Sequence, residues 1–147
     1  MTESRHIEKA IAIRAESAAV WRVLVEPAFV RCWLSDAELE VATAWEVGGA
    51  MTSHGNWHGL AIENKGTIVA LDWGRHMAYT HWSSLSQLPD TPGNYTHIRL
   101  TLSERDGTTT LALQQDNLLT YEIHGHWNFY WAMALDRIRR LAEMGHL

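Results

Sequence analysis

Residues 121–147 read YEIHGHWNFYWAMALDRIRRLAEMGHL. From Trp127 the large apolar side chains fall at Trp127, Trp131, Leu135, Ile138 and Leu141, steps of three and four that line one side of an α-helix. Gly125 precedes the run, and Gly145 follows it as a C′ residue. Arg137, Arg139 and Arg140 sit in the C-terminal half, where cations suit the helix dipole, and read as a solvated face. About 18 helical residues make a rod roughly 27 Å long, the width of a small domain. Such a rod needs an apolar partner, which the residues before it must supply.

Those residues are mostly strand. RHIEKAIAIR (5–14) alternates, with Ile7, Lys9, Ile11 and Ile13 on one face. Ser17 offers an N-cap to a helix carrying Val20, Trp21 and Leu24, and Pro27 opens a second short helix, PAFVRCWL. ELEVA (38–42) predicts a brief strand, and Gly48-Gly49 a bend before the next. His54-Gly55-Asn56 supplies turn chemistry ahead of WHGLAIEN, Gly66 begins GTIVALDW, and Gly74 separates that strand from RHMAYTHW. Residues 83–94, SSLSQLPDTPGN, form the long loop. YTHIRLTLS and TTTLALQQ then make a hairpin about Asp106-Gly107. One strand, two short helices, about six strands and one long helix predict an α+β fold with an antiparallel sheet and the helices on one face.

The chain has 147 residues, enough for one domain spanning 1–147, and a net charge of −5. With no basic stripe outside the last helix, nucleic acid is not an expected partner. The single cysteine, Cys32, permits no internal disulfide; it reads as a buried small hydrophobe in a reducing, cytoplasmic setting. Neither a leader nor an apolar run of about 18 to 20 residues is found, so no membrane partner is expected. Eight tryptophans stand beside two phenylalanines. Either several lie at the surface, or they surround a space that something else fills.

The segments AIRAESAAVWRVLVEPAFVRCWL (12–34), WEVGG (45–49), GTIVALDWGRHMAYTHW (66–82) and the last helix with Trp131, Leu135 and Ile138 carry a resemblance in order and over nearly the whole chain. Together they resemble the START-like, helix-grip superfamily also typified by the birch-pollen allergen fold. Within it they are similar to the small domains homologous to the C-terminal part of the Hsp90 ATPase activator. The resemblance implies a curved sheet of about six to seven strands wrapped around the C-terminal helix, with room for a cavity between them.

If Met77 faces that space, strand alternation sends Tyr79 and His81 the same way, and Leu100 and Leu113 should face the same space. Trp127 and Trp131 would look down from the helix, and Trp33 and Trp57 would flank the mouth. An apolar site with sparse polar anchors is the usual form of a small-molecule pocket. The first expectation is therefore a binding protein, monomer or homodimer, for a small apolar or aromatic molecule, without a cofactor. The second is a cyclase- or hydrolase-like enzyme using His81 and Tyr79 as acid and base, as relatives of this fold imply. The third, implied by the family name, is a stress-linked partner of the Hsp90 chaperone. The histidine pairs 54/58, 76/81 and 124/126 form neither HExxH nor a cysteine-histidine set, so no metal site is expected.

Overall fold

A computed structural model describes residues 5–34, 38–57 and 59–145, except for the side chains of residues 38, 39 and 57. Seven strands, β1 (Arg5–Ile13), β2 (Glu38–Thr43), β3 (Ala50–Trp57), β4 (Leu60–Asp72), β5 (His76–Ser83), β6 (Thr96–Arg105) and β7 (Thr108–Leu118), form one sheet in the order β1-β7-β6-β5-β4-β3-β2. Every neighbouring pair is antiparallel. After β1 the chain crosses to the far edge through α1 (Ser17–Val25) and α2 (Pro27–Trp33), then returns strand by strand until β7 pairs with β1. The long helix α3 (Tyr121–Met144) closes the fold.

Alternation places the core. Ile98, Leu100 and Leu102 of β6 and Leu111 and Leu113 of β7 are buried, and the register sets Leu100 against Leu113 and Leu102 against Leu111. Asp106 and Gly107 both take positive φ, 52° and 78°, the two-residue turn whose twist matches a hairpin. Onto this face α3 presents Trp131, Ala134, Leu135, Ile138 and Ala142, all buried. Its C-terminal end is tied down by Glu143, which accepts the Arg14 backbone N–H at 2.9 Å and pairs with Arg139 at 3.1 Å.

Five local expectations are corrected. The helix α3 begins at Tyr121 and runs 24 residues, so Gly125 lies inside it. Thr120 caps it, its hydroxyl accepting the Ile123 N–H at 3.1 Å, and this cap with Glu122 in the first turn offsets the glycine. Ser17 is the first residue of α1 rather than its cap; its N–H is satisfied by the Glu104 carboxylate of β6 at 2.6 Å. His54, Gly55 and Asn56 belong to β3, and the turn falls after Trp57, which pairs with Leu60. Asn56 still contributes turn chemistry by accepting the Gly59 N–H at 2.8 Å.

Gly66 does not start a strand: β4 runs through it, because a Cβ there would collide with the Thr80 carbonyl of β5. Glycine at this point permits a close approach of two backbones, and a register shift between Ile68 and Ala70 bends the same strand. Cys32 is exposed, since α2 turns Phe29, Val30 and Trp33 inward and leaves Cys32 on the opposite side. Among the described residues no helix is long and apolar enough to cross a membrane.

Candidate functional site

Beneath the middle of α3 the interior is filled. Met77, Tyr79, Leu100, Leu113 and Trp131 are all buried. The Trp131 indole donates to Gln115 Oε1 at 2.6 Å, Gln115 Nε2 donates to Thr96 Oγ1 at 3.0 Å, and that hydroxyl donates to the Asp116 carbonyl at 2.6 Å. Three polar groups in an apolar core are thereby satisfied in one chain. Of the seven described indoles, Trp21, Trp33 and Trp131 are buried, Trp45, Trp82 and Trp127 are partly so, and Trp73 is 59% exposed. The tryptophan excess thus serves mainly packing.

Open space lies instead toward the N-terminal end of α3. A cavity of about 50 Å³ is bounded by His81 at the end of β5, Thr96 and Asn117 on β6 and β7, and Leu119, Ile123 and Trp127 above. The segment between β5 and β6 makes its outer wall through Ser86, Leu88 and Asn94. That segment is held by side chains. Asn117, in a left-handed conformation at φ 63°, donates Nδ2 to the carbonyls of Gly93 and Tyr95 at 3.0 and 2.8 Å. The Trp82 indole donates to the Leu88 carbonyl at 3.0 Å. Asp90 accepts from the Tyr95 hydroxyl at 2.5 Å and from Lys65 Nζ at 3.0 Å, and these two partners hold its carboxyl below the usual range.

His81 and Trp127 are the two rings of the wall whose polar atoms make no hydrogen bond to a described residue. The His81 ring stands edge-on to Trp127, centroids 5.1 Å apart at 88°. Burial lowers its pKa to about 4, so the imidazole is neutral near pH 7, with one donor and one acceptor nitrogen. Trp127 also contacts Tyr130 edge-on at 5.2 Å and lies nearly parallel to Trp131 at 6.3 Å. Burial raises the pKa of both Tyr79 and Tyr130, and the Tyr130 hydroxyl donates to the Leu34 carbonyl at 2.7 Å, joining α3 to the end of α2. Among the described residues, no group of three or more His, Cys, Asp or Glu is placed to hold a metal ion.

Of the residues singled out from the sequence, His81 and Trp127 line the cavity. Met77, Tyr79, Leu100, Leu113 and Trp131 sit in the packed interior beside it. Trp33 packs in the core with its indole donating to the Val23 carbonyl at 2.8 Å, so it flanks no mouth, and the side chain of Trp57 lies outside the described residues. Ile123 and Gln115 were missed. Ile123 precedes Trp127 by one helical turn, a signal hidden by starting the helix after Gly125. Gln115 continues the inward series Leu111, Leu113, Gln115, where a polar residue on a buried face demands partners.

Comparison with solved structures places the same fold elsewhere. A solution structure from Cytophaga hutchinsonii is 27% identical, covers 97% of this chain and 96% of its own, and superposes with a TM-score of 0.81. A crystal structure from Chromobacterium violaceum is 18% identical over 95% of this chain and 98% of its own, with a TM-score of 0.79. The Aha1 dimer from Colwellia psychrerythraea is 17% identical over 96% and 98%, with a TM-score of 0.75. No curated protein matches the sequence. Because the family model for Activator of Hsp90 ATPase homolog 1-like protein matches residues 14–143, and the seven-stranded sheet with its long closing helix is the layout its resemblance implied, the chain belongs to that family.

Proposed function

We propose that the protein binds a small apolar or aromatic molecule in the cavity beneath the N-terminal end of α3. The observation that carries this reading is His81: a polar ring with no described hydrogen-bond partner, set against the Trp127 indole in an otherwise largely satisfied wall. A cavity of about 50 Å³ is small beside the roughly 300 Å³ and more of typical ligand pockets, so a ligand inserts one end and leaves the remainder outside or displaces the 84–94 segment.

Binding is tested by thermal melts and tryptophan fluorescence across a panel of lipids and aromatic compounds, with Trp127→Phe to localise the signal. A raised Tm and quenching that depends on Trp127 are expected. If no compound changes either readout, the reading is abandoned.

The family description favours a second reading, a co-chaperone-like contact with Hsp90. Stimulation of the chaperone's ATPase by the purified protein is its test, and absence of both binding and stimulation excludes it. Catalysis by His81 and Tyr79 is less supported by the chemistry. An imidazole with a pKa of about 4 is a weak general base near neutrality, and burial pushes the Tyr79 phenol further from ionisation.

A further inference from the structure

The hydrogen-bonding inventory of the cavity wall narrows what can occupy it. Trp82 Nε1 is committed to the Leu88 carbonyl. The Ser83 hydroxyl accepts the Leu85 N–H at 3.1 Å, and the Ser86 hydroxyl donates to the Ser83 carbonyl at 2.7 Å while accepting the Leu88 N–H at 3.2 Å. Asn94 Nδ2 donates to the Pro89 carbonyl at 2.9 Å, and Asn117 Nδ2 to two further carbonyls. Thr96 Oγ1 both donates and accepts within the Gln115 chain. These bonds hold the wall together; the His81 imidazole and the Trp127 indole N–H make no hydrogen bond to a described residue, and of the two rings the imidazole is the one that can both donate and accept.

Charge gives the second constraint. No Asp, Glu, Lys or Arg is among the described residues bounding the cavity. An ionised ligand would therefore shed water without meeting a counter-charge. The neutral state of His81 adds nothing to attract an anion. Leu88, Leu119, Ile123 and Trp127 offer apolar surface to the rest of the molecule. By volume the cavity seats about four water molecules, enough for the polar end of a small compound.

We infer that the site selects uncharged molecules carrying a hydroxyl group, which enters the cavity and hydrogen-bonds to the His81 ring. A hydroxyl can donate or accept, so it complements either imidazole tautomer. This inference rests on the cavity-binding reading above and adds His81 as the residue that sets specificity.

Phenol and toluene make the test, because they differ by a hydroxyl in place of a methyl and phenol is un-ionised at pH 7. Benzoate and benzylammonium supply the charged comparisons. Each is titrated into the ¹⁵N-labelled full chain while the Trp127 indole N–H resonance is followed. Phenol should bind about tenfold more tightly than toluene, the ratio expected for one added hydrogen bond, and the two ions should leave the resonance unmoved. His81→Phe should abolish the preference for phenol, and His81→Gln, which keeps a donor and an acceptor, should restore part of it.

Equal affinity for phenol and toluene in the wild-type protein overturns the inference while leaving the cavity reading intact, and needs no variant to fold. Retention of the full preference by His81→Phe, or ion binding as tight as that of phenol, also overturns it. If neither phenol nor toluene moves the Trp127 resonance, the cavity reading falls and takes the inference with it.

Discussion

The indole N–H of Trp131, on α3, donates to Oε1 of Gln115, on β7, at 2.6 Å, and both residues are shut off from solvent. Together with the buried stripe of α3 this bond sets how the helix is rotated over the sheet, because only one face of α3 can bring an indole nitrogen to the amide. It also shapes the cavity indirectly, since Gln115 in turn holds Thr96 in the wall.

Gln115→Leu keeps the volume but leaves the Trp131 N–H and one acceptor site on Thr96 without their partner. A loss of about 1 to 3 kcal/mol in urea unfolding is expected. Combined with Trp131→Phe, the two losses should be less than additive by about 1 kcal/mol, which a double-mutant cycle measures.

Gly125→Ala should stabilise the protein by about 0.5 to 1 kcal/mol. The residue is helical, a Cβ there meets nothing within 4 Å, and alanine restrains the unfolded chain. A higher urea midpoint with an unchanged slope is the expected record.

Gly66→Ala should act in the opposite direction, by about 2 to 3 kcal/mol, because the new Cβ meets the Thr80 carbonyl rather than a side chain that can swing away. Gly93→Ala is the control: its Cβ would meet nothing within 4 Å, and the change should stay within about 0.5 kcal/mol.

His81 makes stability depend on pH. Its folded-state pKa, about 4, lies below the unfolded value of 6.5, so between these limits the unfolded chain binds the extra proton. Stability should therefore fall as pH drops from about 6.5 to about 4, by at most about 3 to 4 kcal/mol from this group, and be nearly flat in it above about pH 7. Subtracting the pH profile of His81→Phe from that of the wild type isolates the effect from the carboxylates.

Much of the architecture was legible because it rests on short-period patterning. The alternation of Ile98, Leu100 and Leu102, the Asp106-Gly107 turn and the apolar steps from Trp127 to Leu141 each carry their own signal. What escaped depends on partners remote in sequence. Gly66 reads as a breaker until the Thr80 carbonyl is seen beside it. Ser17 reads as a cap until Glu104 is found at its amide. Cys32 reads as core because its neighbours are apolar, yet the direction of a seven-residue helix decides its exposure.

The site was legible only in part, for the same reason. Strand parity turned Met77, Tyr79 and His81 to one side, but not which of them would face open space and which would be packed. That depended on where α3 starts and on the course of residues 84–94, neither of which follows a repeating pattern.

The pairing of β1 with β7 sets Ile7 opposite Gln115 and Ile11 opposite Leu111. A ribosome must add roughly a hundred residues after the first strand before its hydrogen-bonding partner emerges, and such non-local pairing slows folding toward the millisecond-to-second range. Until then the nascent chain carries an isoleucine-rich edge with nothing to zip against, so the first of the seven strands to be made is among the last to be secured.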